Sequence, residues 1–343
     1  MPPLFTIARP LALLLALAVS HDAAALSLHS ETRADGATML LLTDDPAPER
    51  APQLNEDPAV RAALADFIGY AAGSYTKDNY MIVSQILGAL DSEFSTFEEG
   101  VPAGRKMLTA MDDRNNGNER AALLLDEKGQ LIAVGLVNGH CTVKSSEESL
   151  SCNPGPETVL TVFQAKGAKK TDADPIIAWS KQLPPLIAMW AESENPDRRA
   201  RAQKIGSVEY ITVEPKKDAW VAAQLPSDFP KAMLPLLPKN TYLMGAGVDG
   251  AYTTPGMKGA PIYGDYDEMA GRPRHDFEVM LKTYTAFSDV VEFYQQQAKD
   301  AELSANDKKA LVDGVAGGGT YKIEIKDKEE GTIIIFSGWR KEV

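Results

Sequence analysis

Apolar residues change their spacing part-way along this chain, and that change limits the folds open to it. Val60, Leu64, Phe67, Ile68 and Ala71 recur at helical spacing, with Asp57 in the N-cap position, Pro58 at the first helical turn and Gly73 near the stop. Val83, Ile86, Leu87, Leu90 and Phe94 repeat the pattern after a short polar link, which predicts an antiparallel helical pair. From residue 121 the apolar positions become contiguous: AALLL at 121–125, LIAVGLV at 131–137 and TVLTVF at 158–163. The first two flank the turn Asp126–Gly129, so a meandering antiparallel sheet is expected under the helices. Asp174 and Pro175 open a further helix that Pro184 and Pro185 interrupt. Asn195 and Pro196 start a short basic helix, and VEYITV at 208–213 is one more strand. Residues 57–215 therefore read as one α+β domain.

The remainder, 216–343, reads as a second α+β domain. A proline-rich passage at 225–247 leads into a Gly-, Tyr- and Met-rich stretch and then the strand DFEVMLKTYTAF at 276–287. A helix follows from Ser288, with Val290, Phe293, Tyr294, Gln297 and Ala301 on one face. After a polar insertion and a bend at Gly317–Gly319, YKIEI and TIIIFSGW form a terminal hairpin. Strand, helix and hairpin in that order suggest a ferredoxin-like two-layer sandwich. The proline-rich lead-in, the strand, the helix DVVEFYQQQAKDAEL at 289–303 and the hairpin together resemble a module that recurs in exported bacterial proteins. VxxFY, Val290 to Tyr294, is its compact signature. This chain departs from the module just after the helix, where Glu302 and Leu303 stand in place of Gly and Trp. The resemblance implies a fold and an envelope location and no particular reaction.

The N-terminus points to the same compartment. Arg9, the apolar run Leu11–Val19 and the small residues Ala23, Ala24 and Ala25 have the order of a secretory signal, so residues 1–25 are expected to be removed. No cysteine follows the run to carry a lipid. Residues 26–56 contain two short strand-like pieces and then a Pro- and acid-rich stretch, read as an extended arm or linker. Cys141 and Cys152, with ten mostly polar residues between them, suit a disulfide in an oxidising space, worth about 3 kcal/mol through loop closure. A periplasmic or secreted protein is the expectation. The net charge of -13 argues against nucleic acid or anionic membrane as partner, and no apolar run in the 343 residues is long enough for an integral membrane segment after signal removal.

Candidate chemistry is sparse. Ser74–Lys77 has the SxxK form of serine acyl-transferases, which requires the serine at a helix N-terminus and the lysine one turn later; no KTG or KSG triplet accompanies it. MDDRNNGNE at 111–119 fails as a calcium loop, because Arg114 and Leu123 occupy positions where oxygen ligands are needed. The bend at Gly317–Gly319 lacks the ending of a phosphate loop. Only His140 and His275 stand beyond the N-terminal region, which leaves no metal set, and no cofactor is expected. Two binding candidates remain. Arg198, Arg199, Arg201 and Lys204 cluster in the basic helix. The stretch 242–271 combines Tyr242, Tyr252, Tyr263 and Tyr266 with glycines and with Asp265, Asp267 and Glu268, a composition that grips peptides or sugars. The reading is a non-catalytic envelope protein that binds another envelope protein, a peptide or a glycan, with Tyr252, Tyr263, Tyr266, Asp265 and Asp267 as the ligand-binding residues. The alternative is an envelope hydrolase using Ser74 with Lys77, or the carboxylates Asp265, Asp267 and Glu268.

Overall fold

The computed structural model describes in full residues 53–77, 80–91, 104–112, 119–139, 157–183, 203–215, 229–244, 276–328 and 331–338, and the backbone of several short strands besides. The leader expected at 1–25 lies outside the described residues. The arm that follows pairs its two strand-like pieces, β1 (His29–Thr32) and β2 (Thr38–Leu41), as an antiparallel hairpin.

Helix α1 (Pro58–Ile68) begins as its sequence predicts. The Asp57 carboxylate accepts the amides of Ala59 and Val60 at 2.7 and 3.1 Å, satisfying two donors the first turn leaves unpaired. It ends earlier than expected, at Gly69, whose φ of 79° turns the chain out of the helix while its amide still donates to Ala65. A small hairpin, β3 (Ala72–Gly73) and β4 (Tyr80–Met81), separates it from α2 (Ile82–Ala89). The second helix is shorter than the apolar spacing to Phe94 suggested, because the chain leaves it at Leu90.

Beyond α2 come β5 (Thr96–Glu98), β6 (Lys106–Met111), β7 (Arg120–Leu125), β8 (Leu131–Asn138), a two-residue ladder of β9 (Cys141–Thr142) with β10 (Asn153–Pro154), and β11 (Val159–Ala165). A short 3-10 turn, Lys170–Ala173, then runs into α3 (Asp174–Ser180), and β12 (Ser207–Val213) follows. Six of these strands form one sheet in the order β12-β11-β8-β7-β6-β5. It is antiparallel except at β11 and β12, which run parallel. The expected sheet under a helical pair is present, and the parallel join corrects its wholly antiparallel reading: the chain crosses over through α3 before returning. Helices α1 and α2 cover one face and α3 the other. Strand β7 is consequently buried at every position, which is why its sequence is a continuous apolar run and not an alternation.

The second half starts with a 3-10 segment, Lys231–Leu236, and continues through β13 (Tyr242–Val248), β14 (Ala251–Thr253), β15 (Ile262–Tyr263) and β16 (Arg274–Thr283). Helix α4 (Phe287–Gln297) leads to β17 (Glu302–Ala305), β18 (Lys309–Ala316), β19 (Gly319–Lys328) and β20 (Gly331–Lys341). All eight strands make one antiparallel sheet in the order β15-β14-β13-β16-β20-β19-β18-β17. Helix α4 lies across one face, with Val290, Val291 and Tyr294 buried among Ile323, Ile325, Ile334 and Phe336. The predicted strand, helix and hairpin are β16, α4 and β19 with β20. The polar insertion between them is itself two strands, β17 and β18, and Gly317 and Gly318, at φ 57° and 79°, make the turn from β18 to β19.

Candidate functional site

The two halves meet along a seam of hydroxyl-bearing side chains. Tyr70 follows α1, Tyr80 lies on β4 and Ser84 on α2; opposite them stand Tyr242 on β13, Thr283 at the end of β16 and Tyr284 just after it. The Thr283 hydroxyl donates to the carbonyl of Asn240 at 2.7 Å, so its oxygen is left to accept. The Tyr70 phenol, 3.2 Å away, is then the donor to Thr283 Oγ1, and it accepts the amide of Tyr284 at 3.1 Å. A directed chain of hydrogen bonds thus runs from the Tyr284 amide through Tyr70 and Thr283 to Asn240. Ser84 Oγ lies 3.1 Å from the Tyr284 phenol, a second hydrogen bond across the seam. The Tyr70 and Tyr284 rings stack with centroids 6.5 Å apart, and Tyr80 meets Tyr242 edge to face at 5.7 Å.

Burial sets the electrostatics of this seam. It pushes the phenols of Tyr242 and Tyr284 up to about 12 and raises that of Tyr70, against the lowering effect of its hydrogen bonds. The phenols are therefore held in their protonated form at neutral pH. Two ammonium groups sit over these rings: Lys77 Nζ is 4.9 Å from the Tyr80 centroid and Lys282 Nζ 5.6 Å from that of Tyr284, with Lys282 only 5% exposed. Chemically the seam binds the two halves to each other.

Ser74 and Lys77 lie beside this seam in the loop between β3 and β4, not on a helix. That loop is built around one buried amide, Gln85 of α2, which is 3% exposed. Gln85 Oε1 accepts the amides of Tyr75, Thr76 and Lys77 at 3.1, 2.8 and 3.0 Å, while Nε2 donates to the carbonyls of Gly73 and Tyr80 at 2.7 and 2.8 Å. The geometry an SxxK nucleophile needs, serine and lysine one helical turn apart, is absent from this loop. The sequence does carry a signal for Gln85: it is the one polar residue on the buried stripe of α2, between Val83 and Ile86.

Within the Tyr- and Gly-rich stretch, the described residues form β13 inside the eight-stranded sheet and β14 and β15 at one end of it. Tyr242 belongs to the seam and is buried. Along β14 and β15, Tyr252 pairs with Gly247 on one side and Ile262 on the other, and Tyr263 pairs with Ala251. The two tyrosines are thus on adjacent strands without being direct cross-strand partners. Tyr266, Asp265, Asp267 and Glu268 lie outside the described residues, as do Arg198, Arg199, Arg201 and His140. Cys141 pairs through its backbone with Pro154, while Cys152 lies outside the described residues. Among the described residues no group of three or more His, Cys, Asp or Glu side chains is placed to hold a metal ion, and no helix is long and apolar enough to cross a membrane.

A buried guanidinium escaped the sequence reading. Arg120 on β7 donates from Nη2 to the Ser180 carbonyl at 2.7 Å and lies over the Trp179 ring at 5.8 Å, holding the C-terminus of α3 to the sheet. Desolvation lowers it to about 10, which leaves it charged at neutral pH.

Compared with known proteins, the chain matches no family model, no curated protein and no solved structure.

Proposed function

We propose that this chain is an exported, non-catalytic binding protein of the bacterial cell envelope, periplasmic or secreted once residues 1–25 are removed, and that it recognises an envelope protein, a peptide or a glycan through the segment carrying Tyr252, Tyr263, Tyr266, Asp265 and Asp267. One observation carries the reading: Tyr252 on β14 and Tyr263 on β15 lie on the two outermost described strands at one end of the eight-stranded sheet, and a sheet end is where an extended ligand can add by backbone pairing. The placement of Ser74 and Lys77 in a loop between β3 and β4, off any helix, favours binding over the SxxK reading. A Cys141–Cys152 disulfide belongs to the same proposal, and the antiparallel pairing of β9 with β10, which brings the two ends of that segment together, supports it. The two-layer, ferredoxin-like description of the second half rests on α4 lying across one face of an antiparallel sheet.

The test is capture of partners from periplasmic extract by the full chain and by a variant carrying Tyr252→Ala, Tyr263→Ala and Tyr266→Ala. Loss of specific partners with an unchanged circular dichroism spectrum is expected. Identical partner lists would remove this edge from the proposal. The hydrolase reading is separated by a fluorescent penicillin or fluorophosphonate probe: no labelling is expected, and labelling abolished by Ser74→Ala would reverse the conclusion.

A further inference from the structure

We draw no further inference here: the strongest candidate, the fully buried Tyr294 hydroxyl on the buried face of α4, has no hydrogen-bond partner among the described residues, but it is set among the apolar side chains of Ile323, Ile325, Ile334 and Phe336 and nothing in the structure shows what it would bind.

Discussion

Gln85 shows what one buried side chain imposes on a local fold. Three consecutive amides converge on its oxygen and two carbonyls on its nitrogen, so the 74–77 loop has its shape because a primary amide offers both kinds of partner in one plane. Gln85→Leu has a similar volume and no hydrogen bonds. It should strand several backbone groups in the interior and lower the stability to urea by about 3 kcal/mol, read from the unfolding midpoint. The Asp57 cap was legible from sequence because capping is a local event of three residues. The role of Gln85 was not, since the groups it satisfies are brought to it by the β3–β4 hairpin folding back over α2.

At the scale of elements, close approach explains a conspicuous glycine. A Cβ at Gly135 on β8 would stand 2.4 Å from Ile176 Cγ2, so α3 seats against the sheet only because that position has no side chain. Gly135→Val should force α3 away and cost about 2–3 kcal/mol, whereas Gly88→Ala in α2, where a Cβ meets nothing within 4 Å, should stabilise by up to ~1 kcal/mol. Thermal unfolding of the two variants checks both signs. Elements with two buried faces were legible: contiguous apolar runs became β7, β8 and β11. Strands β17 and β18 were not, because their exposed positions mix charged, small and apolar residues and their sequences look like a loop. One such face is held by Lys309 and Lys326, which both pair with Glu324 on β19 and pull its carboxyl down to about 2.

At the scale of the molecule, the seam joins the two halves through hydrogen bonds and ring contacts. Its partners are remote in sequence: Tyr70 and Thr283 stand 213 positions apart. Because burial raises Tyr70, Tyr242 and Tyr284 above the usual phenol range, the folded state favours their protonated forms. Their contribution is complete below pH ~10, where unfolded phenols are also protonated, and is lost as pH rises toward 12 and the unfolded chain ionises first. Stability should therefore be flat from neutral pH to about 10 and then fall as the pH rises toward 12. Urea titrations at neutral and alkaline pH provide the measurement. A Tyr70→Phe, Tyr284→Phe variant should flatten the alkaline fall, and an unaltered slope would show that these phenols are not its source.

Sequence alone determined where α1 is capped, the contiguous apolar runs that became β7, β8 and β11, and that the termini of β7 and β8 meet in a tight turn. These follow from periodicity and turn chemistry, which act over a few residues. Tertiary structure decided the parallel join at β12, the placement of β14 and β15 at one end of the eight-stranded sheet, the gathering of the Tyr75, Thr76 and Lys77 amides on Gln85, and the seam itself. Each depends on groups far apart in the chain losing water together, and the partner that makes such burial favourable is set by the folded whole.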